Sequence, residues 1–228
     1  MATASDFVNI AKKYLGTKES DIKHQEIVSI YNSIKPLPVG YKIGMNDSWC
    51  AAFVSACAKK ADIKKFPFEC SCERMINRAK ALMLWEENDA HIPAEGDVIM
   101  YDWQDNGKGD NKGWADHTGI VEKVNGDKIT VIEGNYNNAV KRRTISVNGR
   151  YIRGYIQPSF EKEKAYFPAY TGLKTYSIVD ALKEVGAEST YAYRHKIAAA
   201  NGITFYCGTA TQNLKMLELL KQGKLIKP

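Results

Sequence analysis

Cys50 follows Asn46-Asp47-Ser48-Trp49 and precedes Ala51-Ala52-Phe53-Val54, so a thiol stands where a polar stretch gives way to an apolar helical run. A cysteine in the first turn of a helix faces unpaired backbone N–H groups and the positive end of the helix dipole. Both favour the thiolate, which is the nucleophilic form. Downstream come Ala115-Asp116-His117-Thr118-Gly119-Ile120-Val121 and then Val131-Ile132-Glu133-Gly134-Asn135-Tyr136. A nucleophile, a base and an orienting polar group thus follow in order, the set that thiol hydrolysis of an acyl bond requires. The plainer alternative for Cys50 is a small apolar core residue.

The elements that must position these groups are readable from caps and alternation. Asp47 and Ser48 are the expected N-cap residues of the cysteine helix. Residues 98–103, 118–124 and 129–133 read as strands, and Asn125-Gly126-Asp127 reads as the turn of a hairpin between the last two. With a three-residue loop, Val124 lies opposite Lys128 and His117 opposite Asn135, with Glu133 two residues away on the same face. A two-residue loop places Gly134 opposite and turns both polar groups away. The longer loop is therefore the one that lets a side chain hold the imidazole, and both Glu133 and Asn135 are candidates for holding it.

The segments around Cys50, His117 and Glu133-Gly134-Asn135 resemble the CHAP family, the cysteine, histidine-dependent amidohydrolases/peptidases that cut bacterial peptidoglycan. Ile92-Pro93-Ala94-Glu95-Gly96-Asp97-Val98 is similar to that family's lead into its first core strand, and residues 6–16 resemble its opening helix. The resemblance implies an α+β, papain-like fold in which the cysteine helix packs on an antiparallel sheet carrying the histidine. It implies Cys50 as nucleophile, His117 as general base and Glu133 as the group orienting the imidazole, with Asn135 supporting the site. Trp49 and Trp114 flank the reactive residues and are candidates for shielding them or lining a substrate groove, and equally for packing. No cofactor and no metal is expected. The loop before the cysteine, residues 40–47, holds one acid, whereas calcium takes six to eight oxygens. Cys70-Ser71-Cys72 is too closely spaced for an ordinary zinc pair. Residues 102–110 fail the calcium-loop spacing and read as a surface loop that leads to His117 and can wall the groove.

The chain has 228 residues, 44% of them hydrophobic, and a formal net charge of +6. This suits an anionic partner such as a bacterial wall. No basic–aromatic motif points to nucleic acid, and no stretch is long and apolar enough for membrane insertion. The five cysteines form no disulfide framework. The first residues lack a signal-peptide pattern, so synthesis in the cytoplasm and action on the wall are expected, the combination found in phage endolysins.

A boundary is expected near residues 158–164, dividing a catalytic domain, 1–160, from a small mainly helical module, 161–228. Glu161 onward holds ten basic and six acidic residues, so the short tail carries most of the positive excess. Helices are expected from the caps Ser177, Thr190 and Thr209, the last burying Leu214, Leu217 and Leu220. The tail resembles the wall-binding ends of endolysins. Tyr191, Tyr193, Phe205 and Tyr206 are candidates for stacking on sugar rings or for its core. The leading expectation is a peptidoglycan hydrolase, acting as an amidase or endopeptidase. The alternatives are a papain-like protease or toxin acting on a protein and a non-catalytic wall-binding protein.

Overall fold

The computed structural model describes residues 2–161, 164–172 and 175–228. Lys162 and Glu163, within the expected charged linker, lie outside the described residues. The chain divides into two compact units, Met1–Glu161 and Lys162–Pro228. In the first, helices α1 (Ala4–Lys12), α2 (Ile22–Asn32), α3 (Cys50–Lys60) and α4 (Cys72–Ala81) precede strands β1 (Trp85–Glu86), β2 (Val98–Tyr101), β3 (His117–Asn125), β4 (Lys128–Glu133), β5 (Lys141–Ser146) and β6 (Ile152–Ile156). The second unit holds α5 (Ile178–Glu184), α6 (Tyr191–Ala200) and α7 (Ala210–Lys221). The strands form one antiparallel sheet in the order β1-β6-β2-β3-β4-β5, so the chain is α+β.

Successive residues of a strand point to opposite faces, and β2 uses both. Val98 and Met100 join the core shared with the helices, together with Ile120 and Ile132. Ile99 and Tyr101 join a second cluster with Val121, Val131 and Ile152. That division explains why the strand is apolar without alternation: water reaches neither side. Helix α3 is the centre of the first core. Its residues from Cys50 to Ala58 are all buried, and small side chains at Ala51, Ala52, Ala56 and Ala58 let its neighbours approach closely. The papain-like arrangement expected from the sequence, a cysteine helix against the histidine-bearing sheet, is the one observed.

Two local expectations are corrected. Trp49, not Asp47 or Ser48, occupies the N-cap of α3 and makes no side-chain cap bond. The Asp47 carboxylate instead accepts from the Gly44 N–H and the Tyr41 hydroxyl, closing the loop before the helix. The hairpin turn is also shorter than the three residues its register required. Asn125 pairs with Lys128 and Val124 with Ile129. A bulge at Glu122 then shifts the ladder by one, so Val121 pairs with Val131 and Ile120 with Ile132. The extra residue restores the alignment that the longer loop alone had promised, with His117 and Glu133 on one face.

In the second unit the three caps are observed as read. Ser177, Thr190 and Thr209 each accept a backbone N–H of the following turn, and Thr209 with Gln212 completes a capping box. Leu217 and Leu220 are buried with Ile178, Leu182, Ile197 and Leu225. Leu214, expected in that core, is 49% exposed. No described helix is long and apolar enough to cross a membrane.

Candidate active site

His117 is the first residue of β3 and pairs with Tyr101 at the end of β2. Its Nε2 lies 3.0 Å from Glu133 Oε2. An ionised carboxylate only accepts, so this contact fixes the proton on Nε2 in the neutral ring and leaves Nδ1 for a second partner. Gly119 makes the contact sterically feasible. A Cβ placed there would fall 2.7 Å from Glu133 Cγ and 2.5 Å from Val131 Cγ1. Gly134 plays the matching part on the other face, where an added Cβ would sit 2.5 Å from Phe53 Cβ. Its absence lets the end of β4 lie directly on the cysteine helix.

Cys50 opens α3 and is 6% exposed. Its Sγ is 3.7 Å from that of Cys72, the first residue of α4. The Cys72 thiol is the largest influence on Cys50, burial opposes it, and His117 adds to it. Together with the Ala51 backbone N–H they hold the Cys50 pKa well below the usual thiol range. The Cys72 thiol is pushed up by the Cys50 sulfur and by burial, so it keeps its proton and donates. Burial works against charge on His117, yet Cys50 and Glu133 outweigh it and raise the imidazole to about 9. Burial likewise opposes ionisation of Glu133, but His117 and Arg143 hold the carboxylate below its ordinary range. These influences favour thiolate and imidazolium over the neutral pair, and both groups are little exposed, which strengthens their interaction.

Glu133 binds a second cation. Arg143 Nε on β5 donates to Glu133 Oε1 at 2.7 Å. Asn135, the other candidate for holding His117, takes no hydrogen bond through its buried Oδ1, and its backbone is left-handed at φ 58°. It lines a cavity of about 320 Å³ together with Trp103, His117, Tyr136, Asn137 and Arg143. Cys50 is not among those residues; His117 is the member of the expected cysteine–histidine pair that lines the cavity.

The two candidate groove tryptophans lie elsewhere. Trp49 is fully buried, its Nε1 donating to Glu19 Oε2 at 3.2 Å and its ring centroid 4.5 Å from that of His24. It is a core residue, because a cap at the start of a wholly buried helix points inward. Trp114 is 70% exposed but lines a different cavity with Val39, Glu69, Arg74, Asn77 and Arg78. Two aromatic residues flank the imidazole: buried Tyr101, stacked 5.9 Å from the His117 ring, and Trp103, 6.0 Å from it and stacked on Tyr101 at 4.9 Å. The Trp103 backbone N–H is held by Asp116, the residue before the histidine. Tyr136 and Arg143 had no role in the sequence reading. Cys72 entered it only in a cysteine pair too closely spaced for zinc, and Trp103 only within the 102–110 loop expected to wall the groove; Trp103 does line the cavity beside His117. The signal for Arg143 was β5, a polar edge strand with little apolar periodicity to mark it.

The family model described as the CHAP domain matches residues 40–135, a span that includes Cys50, His117, Glu133 and Asn135. No curated protein matches. Among solved structures, Ly7917 with the hydrolyzing product of MDP is 18% identical, with a TM-score of 0.41, covering 68% of this chain and 63% of that one. Ly7917 on its own is 16% identical, again with a TM-score of 0.41, over 68% and 62%. The chain thus spans less than two thirds of the length of those structures.

Proposed function

Taking as premise that the chain carries a CHAP domain over residues 40–135, we propose that it is a peptidoglycan hydrolase that cleaves an amide bond of the wall peptide by thiol catalysis. The observation that carries this reading is the 3.0 Å contact of His117 with Glu133, together with the mutual influence of His117 and Cys50, each favouring the other's charged form. It favours an ionised nucleophile and a protonated acid, with a carboxylate that keeps the acid in place.

The Cys50 thiolate attacks the amide carbonyl, forming a carbon–sulfur bond and a tetrahedral oxyanion. Backbone N–H groups at the start of α3, including that of Cys50, are the available donors for that oxygen. As the carbon–nitrogen bond breaks, His117 gives the Nδ1 proton to the leaving amine. The neutral imidazole then takes a proton from water, and the resulting hydroxide attacks the thioester. Collapse releases a carboxylic acid and returns the thiolate and the imidazolium. Glu133 stabilises the imidazolium at the two points of the cycle where it is present.

In the second unit, Phe205 is 96% exposed and adopts a left-handed backbone at φ 52°, a conformation that bulky side chains rarely hold. It borders a cavity of about 360 Å³ with His195, Ile203 and Tyr206. These features and the positive excess of the tail support a wall-binding role for this unit, which gives the whole the design of an endolysin.

Incubation with purified wall tests the proposal. New free amines are expected without new reducing sugar ends, and Cys50→Ala is expected to abolish them while leaving sedimentation with the wall intact. Reducing ends, or full activity in Cys50→Ala, would overturn the reading. The masses of the released fragments identify the bond, whether at the sugar–peptide link or within the peptide.

A further inference from the structure

We infer that Arg143 forms a carboxylate-binding subsite beside the scissile bond, so that the enzyme selects wall peptides bearing a free carboxylate there; this rests on the wall-hydrolase reading above. Arg143 stands on β5 opposite Val131, which brings its side chain to the face that carries Glu133. Only Nε is engaged by protein, through Glu133. The two terminal nitrogens have no protein partner among the described residues. An arginine held only to support a carboxylate commonly uses its fork for that purpose, as Arg142 does when Nε and Nη2 both donate to Glu122. Arg143 withholds that second arm from Glu133.

The guanidinium is also fixed in plane. It lies 4.1 Å from the Tyr136 ring centroid, 5.1 Å from that of Trp103 and 5.8 Å from that of Tyr101. Aromatic faces orient a guanidinium without using its donors, so the fork is ordered before a ligand arrives. The side chain keeps 23% of its surface, and it lines the cavity that His117 also lines. No acidic residue is among the lining residues, so no second carboxylate of the protein lines the cavity to compete for the free nitrogens. A ligand oxygen pair held by Arg143 therefore sits in the same cavity as the proton donor for the leaving group. A planar, doubly accepting anion fits this fork best, and wall peptides provide it as carboxylate.

The test compares untreated wall with wall whose peptide carboxylates have been converted to carboxamides. Wild type is expected to release amines about tenfold more slowly from the amidated wall, the effect expected when a charged hydrogen-bond partner is lost. Arg143→Gln is expected to be slow on both walls and to show no preference, with Arg143→Lys keeping part of it. Equal wild-type rates on both walls, or a preference that survives in Arg143→Gln, would overturn the subsite; the second result is what a purely supporting role toward Glu133 produces. Binding is read separately on Cys50→Ala, using N-acetylalanylalanine and its carboxamide and following the fluorescence change that Trp103→Phe removes. A carboxylate-selective response that Arg143→Gln abolishes upholds the subsite even if wild type cuts neither wall. An equal response to both peptides, or none, overturns it.

Discussion

At the scale of single residues, Glu133 serves two cations with one carboxylate, His117 on Oε2 and Arg143 on Oε1. Glu133→Gln keeps the shape but removes the charge that stabilises the imidazolium and permits the wrong tautomer. Turnover is expected to fall by on the order of 10²–10⁴-fold. The pH profile checks the cause. With His117 raised to about 9 and Cys50 depressed, activity should be level across neutral pH and decline as pH rises through about 9, where the proton for the leaving amine is lost. In Glu133→Gln that alkaline limb should move to lower pH. Cys72 is a second lever on the nucleophile. Cys72→Ala removes the thiol 3.7 Å from Cys50 and should raise the Cys50 pKa, seen as slower alkylation of the protein by iodoacetamide at mildly acidic pH; Cys72→Ser, which keeps a donor, should stay close to wild type. Cys50, His117 and Glu133 could be singled out in the sequence because their chemistry is rare and their order fixed, and the fold places His117 3.0 Å from Glu133. Which tryptophan lines the cavity beside His117 was not legible, because a residue's side of the chain depends on a helix cap and a strand end that sequence places only within a residue or two.

At the scale of elements, the site depends on two strands meeting in one register and on a helix lying close to their end. The register could not be read from the turn. Gly126-Asp127 gives a two-residue loop, and only the bulge at Glu122 returns His117 and Glu133 to the same face. A bulge leaves little mark in sequence, since one polar residue within an alternating strand looks like an ordinary outward position. The glycines are the better signal. Gly119 makes room for the Glu133 side chain and Gly134 for Phe53. Gly119→Ala is expected to cost about 1–3 kcal/mol of stability, as overpacking does, and to reduce turnover beyond that by displacing Glu133; Gly134→Ala should act mainly through stability. Chemical denaturation beside initial rates separates the two. The turn entering β2 offers a pH test of the fold itself. Asp97 accepts the Ala94 N–H at 2.9 Å, and its burial raises it from 3.8 to about 6. A raised carboxylate favours the folded state while protonated and loses that advantage as pH rises through about 6. Asp97→Asn should therefore match wild type below the ordinary carboxylate range and exceed it above pH 6, by up to about 3 kcal/mol from the shift. Urea midpoints at pH 3.5 and pH 7.5 would decide, and a variant no more stable at the higher pH would contradict the assignment.

At the scale of the whole molecule, each unit has its own core. The helix–sheet unit holds the cysteine, the histidine and the cavity beside them. The helical unit holds a separate cluster around Leu182, Ile197 and Leu217, and an exposed aromatic residue on a strained backbone. Its helices were legible because capping is local: Ser177, Thr190 and Thr209 each announce a start within four residues. Which of its aromatic residues face outward was less legible, since an aromatic residue reads alike as core or as surface, and of the named candidates Tyr206 is buried whereas Phe205 is 96% exposed. If the unit works by raising the local concentration of enzyme on a polymer, Phe205→Ala must separate two quantities that a simple stabiliser would move together. Hydrolysis of a soluble wall fragment should be unchanged, because no chemistry is lost. Sedimentation with intact wall should weaken by about 1–3 kcal/mol if one stacking contact is removed, and wall clearing at low enzyme concentration should fall in proportion. Alanine keeps the Cβ and so the same backbone strain, and a ring that is 96% exposed takes little packing with it, so thermal stability should hold, which excludes unfolding as the reason for weaker binding. Loss of activity on soluble fragments together with a lower melting temperature would instead make the unit a structural support for the first.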